Sequence, residues 1–393
     1  MRVLLAAAMA AALTMLPLHL LGASAVLMRE ELRFDAAELG MAVAVFFAAY
    51  GVVAWVAGRI SDRQGPRVSL AVATLASAVA LAGIGGVARD WNSVLVFLVI
   101  AGVGNAFAQV GGNLALAAGV GSARQGLAFG IKQSAVPSSS LLSGLAVPAF
   151  ALTFGWRWSY AIALALVPLL AALLARRLPL ARDHRRADGG APTRWAMLAA
   201  IAVAYGGASG TSATLGAFVV ASAVHHGIGV AAAATMLAAG SLTSIAVRLA
   251  AGWLVDRRGR AGFGIIASLL LAGSVGYAAM ATGERVVFVA GSVVAFGAGW
   301  GWNGAFNHAV TSMNRRNPGT ATGMTMIGMS VGGIVWPLVF GQIVERIGYG
   351  PAWAASALVA LASSAILAGC VRRLRREDPA TPGETGEAGE TGR

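Results

Sequence analysis

The stretch GLAFGIKQSAVPSSS, residues 126–140, holds Lys132, the only lysine in a chain of 393 residues. A second basic side chain, Arg248 in VRLAAGWLVDRRGR (247–260), also falls within an apolar run. The sixteen carboxylates are Glu30, Glu31, Asp35, Glu38, Asp62, Asp90, Asp183, Asp188, Asp256, Glu284, Glu345, Glu377, Asp378, Glu384, Glu387 and Glu390. All lie in loops, at the edges of apolar runs or in the C-terminal tail. Lys132 stands eight residues after Arg124, and Arg248 eight before Asp256. On helices rising 1.5 Å per residue, both would sit about 12 Å from the same end. A buried cation is destabilising unless paired, and arginine does not shed its proton. The missing counter-charge is then an anionic ligand, gripped fork-wise by Arg248 and attracted to Lys132 as a point charge. The competing structural reading lets Lys132 snorkel to lipid headgroups. Arg248 then bonds helix-end carbonyls or leans toward Asp256.

Polar residues recur around these two cations. Asn105, Gln109 and Asn113 are spaced i, i+4, i+8 and share one helical face, as do Asn303 and Asn307, with His308 adjacent. Such stripes either line a wet cavity or hydrogen-bond neighbouring helices. His19, Tyr205, Ser209 and Thr211 are weaker members of the same set, and Trp300 and Trp302 read as packing residues. Pro137 and Pro337 should kink the helices that contain them. No metal-ligand spacing, P-loop or nucleotide motif is present, so no catalytic residue, metal or cofactor is expected. Nothing in these motifs would couple the chain to ATP hydrolysis.

The elements that must position these residues are membrane helices. Hydrophobic residues make up 58% and charged residues 11% of the chain, with mean hydropathy +0.74, far from a soluble domain. Twelve apolar runs long enough to span a bilayer lie at roughly 3–27, 38–58, 68–88, 92–116, 126–150, 159–177, 195–222, 230–254, 262–282, 286–311, 320–344 and 352–371. The first resembles a secretory signal in its basic start and its ASA at 23–25, yet it is longer than a usual apolar signal core. With the N-terminus placed in the cytoplasm, 21 arginines fall on that side and six on the other. This sorting puts both termini in the cytoplasm of a bacterial-type inner membrane and explains the net charge of +13 without nucleic acid. Cys370, the single cysteine, permits no internal disulfide.

The polar segment 178–194 divides the runs six and six, and an internal repeat follows the division. GRISDRQGPR (58–67) and GWLVDRRGRA (252–261) align at an offset of 194, as do Gln109 with Asn303 and Asn113 with Asn307. Parallel repeats of six helices point to a transporter with its site between the halves. The G-x-x-x-D-R-x-G loop after the second run, with a degenerate copy after the eighth, resembles the signature of the major facilitator superfamily; Pro66 departs from it. The resemblance spans the chain up to its tail. It implies an all-α fold of two pseudo-symmetric six-helix bundles, here 1–177 and 195–371, joined by the cytoplasmic linker at 178–194. The acidic, low-complexity composition of 372–393 reads as a disordered cytoplasmic tail. The resemblance also implies gating roles for Asp62, Arg63, Asp256 and Arg257, and makes helices 5 and 8 neighbours. VRLAAGWLVDRRGR further resembles the monocarboxylate and oxalate carriers, in which a helix-8 arginine at this spacing binds substrate. Those carriers place their membrane lysine on a different helix, so Lys132 has no counterpart there.

The expectation is a monomeric secondary transporter of a small organic anion, with a proton or counter-substrate as coupling partner. Efflux of a lipophilic or cationic compound is the alternative, and a transporter-like sensor a third class. GASG (207–210) resembles the serine motif of rhomboid proteases, with Ser209 and His308 as the pair, but a twelve-run duplication does not suit that family.

Overall fold

The computed structural model describes the backbone of residues 2–119, 125–175, 195–258, 262–313 and 318–377. Among the described residues, twelve helices are long and apolar enough to cross a membrane: α1 (Val3–Leu32), α2 (Ala36–Gln64), α3 (Pro66–Val87), α4 (Trp91–Leu116), α5 (Ala128–Phe154), α6 (Trp156–Ala175), α7 (Trp195–His225), α8 (Val230–Leu254), α9 (Phe263–Ala281), α10 (Arg285–Phe306), α11 (Ala321–Ile347) and α12 (Tyr349–Leu374). Several run a few residues beyond the apolar runs of the sequence. The last helix continues to Glu377, so 372–377, expected within the tail, are helical. The linker 178–194 lies outside the described residues, as do 378–393 of the tail.

Local chemistry sets where these helices begin and break. Asp35 caps α2 by accepting from the Glu38 N–H at 2.7 Å, while Glu38 accepts from the Asp35 N–H at 2.9 Å, a reciprocal capping box. Between α2 and α3 the chain turns at Gly65, with φ of +82°. Pro66 follows as the first residue of α3, where a missing N–H does no harm. The departure from the family signature at Pro66 is therefore a helix start. Wider π-type turns interrupt the helices at Gly83–Val87, Val147–Ala151 and Ala295–Gly299. In α10 the π turn is followed by a turn at Trp302 before the helix resumes at Asn303.

The helices form two pseudo-symmetric six-helix bundles. The main contacts between them run through α1, α2 and α5 on one side and α7, α8, α10 and α11 on the other. With lipid as solvent, close packing replaces hydrophobic burial as the force between helices, which favours small residues at the contacts. A Cβ on Gly22 of α1 would stand 2.8 Å from Ala217 Cα of α7, and one on Gly144 of α5 would stand 2.6 Å from the Ala234 carbonyl of α8. At the α2–α11 seam, a side chain at Gly40 would collide with the Pro337 carbonyl, and one at Gly341 with the Ala36 carbonyl. Glu345 adds a polar tie there, accepting from the Ala36 N–H at 3.4 Å.

Candidate functional site

Between the halves lies a cavity of about 80 Å³. At about 10–15 Å³ per water position it has room for several waters or one small ligand. Its wall includes His19 from α1, Tyr50 from α2, Asn105 and Gln109 from α4, and Gln133 from α5. From the other half come Tyr205 and Ser209 from α7, Arg248 from α8, and Trp300 and Asn303 from α10. Phe47, Met326 and Met329 supply apolar surface.

Arg248 is 1% exposed and is held by two main-chain carbonyls. Its guanidinium donates to the Gln133 carbonyl at 2.5 Å and to the Trp300 carbonyl at 3.0 Å. Neither carbonyl has its normal helical donor. An α-helical N–H bonds the carbonyl four residues back, and the residue four after Gln133 is Pro137, which has no N–H. Trp300 stands at the break in α10, with backbone angles of −116° and −18°. The Gly299 carbonyl beside it is likewise free to accept, from Ser212 Oγ at 3.2 Å and Trp302 Nε1 at 2.9 Å. Both Gly130 of α5 and Gly304 of α10 lie against the α8 backbone at Arg248: a Cβ on them would stand 3.3 and 2.8 Å from the Arg248 carbonyl. Arg248 also lies 5.7 Å from the Trp300 ring centroid. Its Nε–H has no partner.

Lys132 is fully buried and points away from the cavity wall, toward α4. Its ammonium donates to Gln109 Oε1 at 2.5 Å, to Asn113 Oδ1 at 2.8 Å and to the Gln109 carbonyl at 3.4 Å. Three acceptors meet three donors, so the cation is solvated by dipoles. The network continues inward: Gln109 Nε2 donates to Asn105 Oδ1 at 3.5 Å, which also accepts from Thr14 Oγ1 at 3.2 Å. The α4 stripe is thus divided. Asn105 and Gln109 face the cavity, whereas Asn113 holds Lys132.

His19 pairs its Nδ1 with Ser139 Oγ at 2.6 Å and presents its ring edge-on to Trp300 at 5.8 Å. The Tyr205 hydroxyl donates to Asn303 Oδ1 at 3.4 Å, and its ring stacks on Phe306 at 3.9 Å. The side chains of Asn307, His308 and Asp256 lie outside the described residues. Asp62, Arg63 and Arg257 are exposed at helix ends, with Arg257 lying over the Trp253 ring at 4.1 Å. Arg157 and Glu31 form an ion pair at 2.6 Å, and neither belongs to the cavity wall.

The sequence alone assigned no site role to Gln133, Trp300 or Tyr50. Gln133 adjoins the conspicuous Lys132, and its freed carbonyl was legible in the four-residue spacing to Pro137. Trp300 contributes a carbonyl because FGAGWGWNG (296–304) breaks the helix, a glycine-rich signal that was present in the sequence. Tyr50 carries no signal beyond being an aromatic in an apolar run.

The family model described as Major Facilitator Superfamily matches residues 3–337 and 197–392. No curated protein matches the chain. Among solved structures, the proton:xylose symporter XylE bound to 6-bromo-6-deoxy-D-glucose superposes with a TM-score of 0.73 at 14% identity, covering 94% of this chain and 95% of its own. The human organic anion transporter MFSD10 (TETRAN) superposes with a TM-score of 0.67 at 15% identity, covering 93% and 99%.

Proposed function

We propose, from the premise that this chain belongs to the major facilitator superfamily and is a secondary transporter rather than an enzyme, that its cargo is a small organic anion such as a mono- or dicarboxylate. One observation carries the reading. Arg248 forms part of the cavity wall at 1% exposure, and among the described residues no carboxylate pairs with it. A guanidinium held by neutral carbonyls in a low-dielectric wall keeps its full positive potential for an entering anion. Lys132 adds to that potential from behind Gln109 and fixes which end of the Gln109 amide faces the cavity. The fold itself is silent on cargo: XylE is a proton:xylose symporter and MFSD10 an organic anion transporter.

In this reading the two bundles, 1–177 and 195–371, rock about the cavity. Asp62, Arg63, Asp256 and Arg257 latch the end that the arginine distribution assigns to the cytoplasm. The protein works as a monomer in an inner membrane with both termini cytoplasmic, driven by a coupling proton or a counter-substrate. The apolar part of the wall, with Phe47, Met326, Met329 and the Trp300 ring, favours a second reading, efflux of a lipophilic compound. Thermal-shift screening of the purified protein against small carboxylates, sugars and cationic drugs separates the two. Stabilisation by a carboxylate that vanishes in Arg248→Gln is the expected result. Stabilisation by a lipophile, indifferent to that substitution, would replace the anion reading with efflux.

A further inference from the structure

Arg248 meets the cavity with donors to spare. Two of its five N–H groups go to the Gln133 and Trp300 carbonyls, and its Nε–H has no partner. An entering carboxylate can therefore bond the guanidinium without displacing either carbonyl. The same wall also holds an acceptor without a donor, a costly state when buried. Gln133 is 7% exposed, lines the cavity, and its Oε1 already lacks a partner.

We propose that Gln133 determines specificity by selecting a carboxylate that brings its own hydrogen-bond donor, such as a hydroxy acid. The carboxylate takes the free N–H groups of the guanidinium, and the adjacent hydroxyl donates to Gln133 Oε1, which gains the partner it lacks. Ser209, 8% exposed in the same wall with its Oγ unpartnered, can complete the hydroxyl's second bond. An acid without the donor leaves an acceptor stranded, and sites built to bond a hydroxyl reject analogues that lack it. The inference rests on the anion reading above.

The test compares matched acids on the purified full-length protein, glycolate against acetate and 2-hydroxybutyrate against butyrate, by calorimetric titration. The hydroxy acid of each pair is expected to bind at least about tenfold more tightly. Gln133→Ala removes the amide and Gln133→Met keeps its volume without the acceptor; in both the ratio is expected to approach one. All four acids binding with ratios near one in the wild type would overturn this inference and leave the anion reading standing. A ratio unchanged in both variants would overturn it as well. Binding of none of the four would remove the anion reading and this inference with it.

Discussion

Arg248 donates to the main-chain carbonyl of Gln133 at 2.5 Å across the seam between the two halves. That carbonyl is available because Pro137 follows four residues later without an N–H to offer. A lone buried arginine and a mid-helix proline on a neighbouring helix are therefore parts of one arrangement.

The arrangement can be tested by a double-mutant cycle of Arg248→Ala with Pro137→Ala, read as denaturation in detergent. Arg248→Ala strands two carbonyls, each worth about 1–3 kcal/mol. Pro137→Ala supplies the Gln133 carbonyl with a helical donor and should recover about 1–3 kcal/mol of that loss. Effects additive to within about 0.5 kcal/mol would show that the two residues are not coupled.

Lys132→Met keeps the stem volume that packs over Gly112, where a Cβ would stand 3.2 Å from Lys132 Cε. It leaves Gln109 Oε1 and Asn113 Oδ1 without their donor, so a loss of about 1–3 kcal/mol in stability is expected for each. Carboxylate affinity should fall by less than in Arg248→Gln, because the lysine acts through Gln109. A drop equal to that of Arg248→Gln, with unchanged stability, would mean that the ammonium touches cargo itself.

Gly40→Ala drives a methyl group into the Pro337 carbonyl at the α2–α11 seam. Overpacking of this kind costs about 1–3 kcal/mol, and here the strain is relieved by parting the halves at that end. Maleimide labelling of Ser212→Cys, in the cavity wall, should become faster in a Cys370→Ser background. Unchanged labelling would place the strain within one half.

His226 lies in the turn between α7 and α8, against Phe288 at 5.1 Å and His225 at 5.4 Å, and its carbonyl accepts from Arg285 Nε at 2.9 Å. Burial first, and then the neighbouring His225, hold its imidazole below its ordinary value. The folded turn thus prefers the neutral ring. Its stabilising contribution is present above the ordinary value of about 6.5 and is lost as pH falls. Hydrogen exchange at 225–229 should accelerate between pH 7.5 and pH 5.5, two test conditions that bracket that value by about one unit. His226→Gln should flatten this dependence. An identical acceleration in the variant would assign it to other groups.

Much of this was legible in the sequence. The twelve runs and the 194-residue offset between GRISDRQGPR and GWLVDRRGRA fix twelve helices in two related halves, because lipid permits few other ways to satisfy a backbone. Lys132 and Arg248 stood out because no carboxylate shares their depth. Their partners were harder to see. Composition reveals which charges are missing, whereas the dipoles that replace them come from breaks in helices. The carbonyls of Gln133 and Trp300 belong to residues whose side chains advertise nothing of the kind. The direction of Lys132, toward Asn113 rather than into the cavity, depends on the rotation of α5 against α4, which no spacing along one helix encodes.

The most direct measurement is counterflow of a labelled small carboxylate in proteoliposomes, with wild type beside Arg248→Gln, both shown to be folded by thermal melting. Accumulation by the wild type and its loss in Arg248→Gln is the expected result. Accumulation that survives in Arg248→Gln, or none by either protein while a lipophilic cation is moved by both, would contradict an anion site at Arg248.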